Sequence, residues 1–353
     1  MIKEEYSPFK IVHHLDKLIE LKNNKPCVPL QVQMVPSNIC NQRCTFCAYR
    51  MPDYLSNESF NDREMLSYEK IIETLDCMVR MGVPSIQYTG GGEPLVHPRI
   101  KDIFKATLNK KIELSLVSNG QALNEELCEL LSESAWLRIS VDSGSGQLYS
   151  LIRNVSKSKF DIVLNNIRTL VKYKKSNIIG VGYVVEKENY KEILEAAKLF
   201  KDIGVDNFRI SAAFTPMGYK YFDSFMSEAK ELCLAAQSLS TESFTVFNLF
   251  NDRVIDTFEG SQDYSFCPIK DLLTYIGADY SVYTCCTHAY NKLGLIGSLK
   301  EMYFENLWNS QSKIDMFSNH DPRKICQHPC MYKGKNEFIN YCIKPQPKHI
   351  NFI

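Results

Sequence analysis

The sequence predicts an α/β fold: a partial (β/α)6 TIM-type barrel with a small cysteine-rich C-terminal extension. Three observations predict it. From Leu30 to Ser211 short β-prone runs alternate with longer stretches of helical period, the pattern of βα units around a parallel sheet. That alternation stops after about Phe244. Six of the thirteen cysteines lie beyond that point, among many aromatic residues.

Taken in order, Ile11, Val12, Leu15, Leu18 and Ile19 recur at helical spacing and predict an amphipathic helix from about Phe9 to Leu21. His13 and His14 lie in it. Adjacent positions on a helix face different sides, so these histidines suit solvation better than a shared ligand. Strands are expected at Gln31 to Val35, Ile86 to Thr89, Glu113 to Val117, Leu137 to Val141, Ile178 to Val184 and Phe208 to Ser211. Helices are expected at Tyr68 to Met81, Asn124 to Ser132, Lys159 to Lys174 and Tyr190 to Ile203. Six units are too few to close an eight-fold barrel, so a partial barrel or an open sheet follows. Both put the functional loops at the C-terminal ends of the strands. The division is then an N-terminal helical extension over 1–30, the barrel over 31–245 and the cysteine-rich domain over 246–353.

Among the 353 residues 44% are hydrophobic and 23% charged, a globular composition, and the formal net charge is zero. No strong pull toward nucleic acid or a membrane surface follows from the total. From Asp321 onward six Lys/Arg face two Asp/Glu, a solvated basic surface. Met1 to Lys25 carries charges throughout and has no apolar segment of the kind a secretory signal needs. No run approaches the roughly 18 to 20 apolar residues that cross a bilayer. The expected location is the cytoplasm, where disulfides rarely persist. Thirteen cysteines there point to metal or cluster ligation.

Pro36 to Arg50 reads PSNICNQRCTFCAYR, directly after the first expected strand. Three thiolates, Cys40, Cys44 and Cys47, stand as C-x3-C-x2-C. A structural zinc site wants four protein ligands, so zinc would need a distant fourth. Thiolates suit iron-sulfur clusters, and three of them leave one iron open. With Phe46 the loop matches C-x3-C-x-aromatic-C and resembles the radical S-adenosylmethionine (radical SAM) superfamily. The resemblance implies a [4Fe-4S] cluster on Cys40, Cys44 and Cys47, whose open iron is chelated by S-adenosylmethionine (SAM), with Phe46 near the adenine. It also implies reductive cleavage of SAM to a 5′-deoxyadenosyl radical. The cofactor then carries the hard step, and the protein supplies orientation and a closed site.

Gly90-Gly91-Gly92-Glu93-Pro94 follows the second expected strand. Glycines allow close backbone approach, and a carboxylate accepts charge-assisted hydrogen bonds from an ammonium group. Gly91, Gly92 and Glu93 resemble the family's Gly-Gly-Glu motif, which contacts the methionine amino group. The third strand ends in Ser118-Asn119-Gly120 and the fourth in Ser140-Val141-Asp142. By the same resemblance Ser118, Asn119, Ser140 and Asp142 contact the SAM carboxylate and ribose, and Arg153 pairs a carboxylate. The fifth strand carries Gly180 and Gly182 but assigns no adenine contact.

The later cysteines are Cys267, Cys285, Cys286, Cys326, Cys330 and Cys342. Their region resembles the SPASM/twitch extensions of radical SAM proteins, although the C-x2-C-x5-C-x3-C run of a full SPASM domain is absent. One auxiliary [4Fe-4S] cluster is therefore expected, on Cys267, Cys285, Cys326 and Cys330, with Cys286 or Cys342 as replacements. Zinc, helped by His328 in CQHPC, is the alternative. Cys27, Cys77, Cys128 and Cys233 sit in apolar helical patterns as core residues.

The resemblance implies an oxidoreductase or isomerase that draws electrons from a flavodoxin or ferredoxin and abstracts hydrogen from a small polar substrate, such as a sugar, aminocyclitol or nucleoside. The outcome would be oxidation, epimerisation or isomerisation. The alternatives are radical modification of a ribosomal peptide or of a nucleic acid. A peptide-modifying enzyme would want more than about thirty residues before the barrel to bind a leader. A non-enzymatic iron-sulfur carrier or sensor would have no use for Gly-Gly-Glu.

Overall fold

The computed structural model describes residues 6–52, 58–250, 262–326, 330–344, 348 and 351. Among them ten strands form one sheet in the order β10-β9-β8-β1-β2-β3-β4-β5-β6-β7. The strands are β1 (Gln31–Met34), β2 (Ser85–Tyr88), β3 (Glu113–Ser118), β4 (Trp136–Ser140), β5 (Ile178–Val185), β6 (Asn207–Ala212), β7 (Thr245–Asn248), β8 (Leu273–Ile276), β9 (Ser281–Tyr283) and β10 (Leu295–Ser298). All pairs from β8 through β1 to β7 are parallel, while β9 and β10 turn antiparallel at one edge. This is a partial TIM-type barrel.

The six expected strands are β1 to β6. The expectation missed β7, which is four residues long, and β8, which lies far along the chain yet pairs with β1 from Gln31↔Leu273 to Met34↔Ile276. The ladder runs one step further, where the Val35 N–H donates to the Ile276 carbonyl at 2.9 Å. The boundary expected near residue 245 coincides with the start of β7, and the cysteine-rich region shares the barrel's sheet through β8.

Period two decides each strand's two faces. In β1, Val32 and Met34 are fully buried against helices while Gln31 and Gln33 face the lumen. β4 repeats this with Leu137 and Ile139 outward, and Arg138 inward. The outer layer is α2 (Tyr68–Met81), α3 (Ile100–Asn109), α4 (Glu125–Leu131), α5 (Gly146–Arg153), α6 (Ser158–Tyr173), α7 (Ile193–Ile203) and α8 (Met226–Gln237). Ser67 caps α2 by accepting from the Lys70 N–H at 3.2 Å, and Gly82 ends it at φ +76°. Ile71, Leu75 and Met78 on one face of α2 are completely buried, each contributing about 1.5–3 kcal/mol by leaving water.

The single helix expected over Phe9 to Leu21 is corrected. A 3-10 turn at Pro8–His13 and a separate α1 (Leu15–Lys22) meet at His14, whose φ of −122° and ψ of 62° leave the helical region. The buried members are Ile11 and Leu21, while Val12, Leu15 and Ile19 are exposed. The break rotates the two pieces so that only part of the apolar stripe, Ile11 and Leu18, packs against the core.

The C-terminal part adds α9 (Ile269–Leu272), α10 (Phe304–Trp308), α11 (Gln311–Ser318), α12 (Pro322–Ile325) and α13 (Lys333–Ile343). Trp308 anchors it to the N-terminal segment by donating to the Cys27 carbonyl at 2.8 Å. Cys27, Cys77, Cys128 and Cys233 are buried. Among the described residues no helix is long and apolar enough to cross a membrane.

Candidate active site

The loop carrying Cys40, Cys44 and Cys47 leaves the C-terminal end of β1 and is tied to the end of α5. Arg43 and Thr45 donate backbone N–H groups to the carbonyls of Arg153 and Ile152 at 3.1 and 2.9 Å. The Gln42 amide, buried beneath, donates to the Tyr149 hydroxyl at 2.8 Å. Arg153 Nη1 donates to Cys44 Sγ at 3.2 Å, a cation set to stabilise a thiolate. Burial is the main cause raising the Cys40 and Cys47 thiols, and the Cys44 sulfur beside each adds to it. Three such thiols crowd one another unless they share a positively charged group.

The glycines after β2 are explained by this loop lying on them. A Cβ on Gly92 would stand 2.3 Å from the Ile39 carbonyl oxygen, and one on Gly91 would stand 2.4 Å from Asn38 Oδ1. In return, the Gly92 and Glu93 N–H groups donate to the Ser37 and Ile39 carbonyls at 3.1 and 2.9 Å. The Glu93 carboxylate is buried, and burial raises its pKa. It accepts from the Ser118 hydroxyl and the Asn119 N–H, both at 2.7 Å, and from the Leu95 N–H at 3.1 Å. Glu93 thus fastens the glycine turn to the end of β3. Asn119 reaches back to Asn41 in the cysteine loop at 2.7 Å.

Asp142 and Arg153 are brought together as a buried ion pair, 1% and 5% exposed at the side chain. Asp142 also accepts from the Val184 N–H at 2.6 Å. These contacts hold Asp142 at φ +60°, a conformation that costs a non-glycine residue free energy. Both side chains were expected on SAM, and here each engages the other. Arg153 keeps one free element among the described residues, its buried Nε, and lies 5.6 Å from the Phe46 ring centre. Ser140 ends β4 on the lumen side.

Glu186, just past β5, was not anticipated. Burial, with Asp142 nearby, pushes its carboxyl up to about 7. One oxygen is 3.4 Å from the Thr45 hydroxyl of the cysteine loop, and the other, buried, has no partner among the described residues. An orphaned acceptor, a glycine cradle and three thiols with a cationic neighbour suit a [4Fe-4S] cluster with SAM beside it.

Cys267, Cys285, Cys326 and Cys330 line one small apolar chamber under the lumen. Burial and the neighbouring cysteines push Cys267 up to about 12, and Cys285 and Cys326 are raised for the same reasons. Tyr264 donates to Cys330 at 3.8 Å, and Asn336 ties Tyr264, Cys267 and the start of α9 together. His288 lies 3.4 Å from Cys326. Among the described residues no three His, Cys, Asp or Glu side chains meet at single-ion spacing. Of the replacements, Cys286 lines the lumen and Cys342 borders neither space. His328 lies outside the described residues.

Between the two sites is a lumen cavity of about 510 Å³. Tyr49, Thr89 and Gly90 border it from the cluster-loop end, Cys286, Thr287 and Tyr332 from the chamber end, and Gln33, Gln87, Arg138 and Arg209 from the wall. Alternation within β1, β2, β4 and β6, polar inward and apolar outward, was the signal that could have found the wall residues.

Residues 34–200 match the model of the radical SAM superfamily, and residues 267–331 match SPASM, an iron-sulfur cluster-binding domain. GTP 3′,8-cyclase of Aquifex aeolicus is 29% identical over 200 residues, 54% of this chain and 57% of that protein. The antilisterial bacteriocin subtilosin biosynthesis protein AlbA of Bacillus subtilis is 22% identical over 341 residues, 91% of this chain and 68% of AlbA. Streptococcus suis SuiB, in its crystal structure with the precursor peptide SuiA, shares the fold at a TM-score of 0.64 and 17% identity, over 93% of this chain and 78% of SuiB. The chain spans about half the length of the first curated relatives it matches.

Proposed function

Because the chain belongs to the radical SAM superfamily and carries a SPASM iron-sulfur domain, we propose that it takes a hydrogen atom from a small polar substrate held in the barrel lumen, with net oxidation as the outcome. One observation carries this reading: one lumen cavity is bordered by Ala48 and Tyr49, next to Cys47, and by Cys286 and Thr287, next to Cys285. When bound, the clusters and SAM supply a 5′-deoxyadenosyl radical at one end and an electron acceptor at the other. Cys40, Cys44 and Cys47 would hold the first cluster, and Cys267, Cys285, Cys326 and Cys330 would hold the auxiliary one. Gly91, Gly92, Glu93, Ser118 and Asn119 shape the turn that receives the methionine end of SAM, while Phe46, Ser140 and Glu186 border the adenosine. The Asp142–Arg153 pair keeps the cysteine loop pinned to α5 while SAM comes and goes.

A cavity of this volume falls in the range of metabolite sites, and its amide and guanidinium wall favours a polar occupant. The length of the alignment with AlbA, whose name assigns it to bacteriocin biosynthesis, favours a second reading, hydrogen abstraction from a peptide residue. The test is anaerobic reconstitution followed by SAM and dithionite. Formation of 5′-deoxyadenosine is expected, and none from cluster-loaded protein would sink the reading. Deuterated sugars, nucleosides and peptides offered to the same preparation separate the two substrate classes by which one passes deuterium into 5′-deoxyadenosine.

A further inference from the structure

We infer that Thr284, Thr287 and His320 donate hydrogen bonds to the inorganic sulfides of the auxiliary cluster and so poise it as an electron acceptor; this rests on the chamber of Cys267, Cys285, Cys326 and Cys330 holding that cluster. All three residues line the chamber. The Oγ1 atoms of Thr284 and Thr287 and the Nδ1 of His320 are buried and have no hydrogen-bond partner among the described residues. Thr284 is 1% exposed and His320 6%. A buried polar group left without a partner costs about 1–3 kcal/mol. Three of them around one small space point to what fills it.

The cysteine sulfurs already have contacts of their own. Cys267 accepts from the Lys270 backbone N–H, and Cys285 from the His288 backbone N–H. The His288 Nε2 lies 3.4 Å from Cys326 Sγ, and the Tyr264 hydroxyl donates to Cys330 Sγ at 3.8 Å. With the four ligand sulfurs served, the acceptors left on a [4Fe-4S] cluster are its bridging sulfides. A water molecule is the competing filler of such a space, and the test below separates the two.

The effect on the cluster has a definite sign. A threonine hydroxyl turns toward whichever acceptor is near. Burial, then Lys270, pull the His320 imidazole down to about 4, so at neutral pH it is uncharged and donates from one nitrogen. A reduced cluster carries more negative charge than an oxidised one. O–H and N–H dipoles aimed at its sulfides therefore stabilise the reduced form more, and the potential rises. That is the direction an acceptor of the substrate radical's electron needs. Thr287 also borders the lumen, so one donor stands in the wall between the substrate cavity and the chamber.

The test is the reduction potential of each cluster in the loaded protein, followed anaerobically by electron paramagnetic resonance. T284V, T287V and H320L should each shift the auxiliary reduction equilibrium about tenfold toward the oxidised form, about 59 mV for one electron, and leave the first cluster unmoved. T284S, T287S and H320Q, which keep a donor, should lie close to the parent. After exchange into D2O, the apolar variants should show fewer deuterons coupled to the reduced auxiliary cluster than the parent does. Should a valine or leucine variant fail to load the chamber, alanine at that position removes the same donor without its bulk. An auxiliary potential unmoved by two or more of the apolar variants, or moved equally by the variants that keep a donor, overturns the assignment. Parent protein that loads no iron beyond the first site overturns the auxiliary-cluster reading instead, so the two failures are distinguishable.

Discussion

The two cysteine sites are built on opposite plans. The loop of Cys40, Cys44 and Cys47 is contiguous in sequence, polar, and tied down by hydrogen bonds with the turns after β2 and β3 and with the end of α5. The chamber of Cys267, Cys285, Cys326 and Cys330 is assembled from three separated segments around an apolar space, with tyrosine, histidine and asparagine touching its sulfurs. The difference teaches how each ligand is to be held. Sulfurs carried within eight residues are positioned by fixing their loop from behind, whereas sulfurs from separate segments are positioned by packing those segments around them.

The strongest way to break this comparison is to remove the ligands of each site separately. Replacing Cys40, Cys44 and Cys47 with alanine should abolish 5′-deoxyadenosine formation and leave about half of the iron, because the four remaining thiols hold a cluster of their own. C326A should do the reverse, losing the other half while SAM cleavage without substrate persists. C286S should retain all the iron, since that thiol faces the lumen. Iron counting with mass spectrometry of the nucleoside checks all three.

Next in size is the Asp142–Arg153 pair. R153M leaves a buried carboxylate without its cation and should cost about 3–5 kcal/mol, while D142N/R153M together should cost less than the sum of the singles. Urea unfolding of the cluster-free protein measures it. G92A drives a methyl group into the Ile39 carbonyl and should cost about 2 kcal/mol, with cluster loading at the first site reduced and loading at the chamber unchanged.

The smallest effect concerns Glu186. Its carboxyl lies near pH 7 in the folded protein against an ordinary 4.5. The folded state therefore holds the proton more tightly than the unfolded chain. The associated stability is fully present below about pH 4.5 and is lost as the pH rises through 7. E186Q removes this loss and should stabilise the cluster-free protein by about 2 kcal/mol at pH 8 and by almost nothing at pH 4. Equal gains at both pH values would show that Glu186 is not the titrating group.

What the sequence disclosed divides along the same line. Cys40, Cys44, Cys47 and the glycine turn were legible because their chemistry is local: three sulfurs within eight residues, and glycines where another chain segment lies flat. Strands β1 to β6 were legible from alternation. The Asp142–Arg153 pair and the Glu93 bridge were not, because a motif tells which residue stands at a strand end and not which neighbour takes its hydrogen bonds. Glu186 was missed because nothing beside it in sequence marks it, and its raised pKa comes from burial and then from Asp142, 44 residues earlier. The pairing of β8 with β1 was invisible for a similar reason: a run of four residues gains strand identity only from the register it finds.

That pairing has a mechanical meaning. The three-cysteine loop departs from β1, and the hairpin leading to Cys285 departs from β8, two strands in adjoining rows of one ladder, about 4.8 Å apart. The loop and the hairpin are thereby carried by one ladder, and shifting one against the other means breaking its rungs.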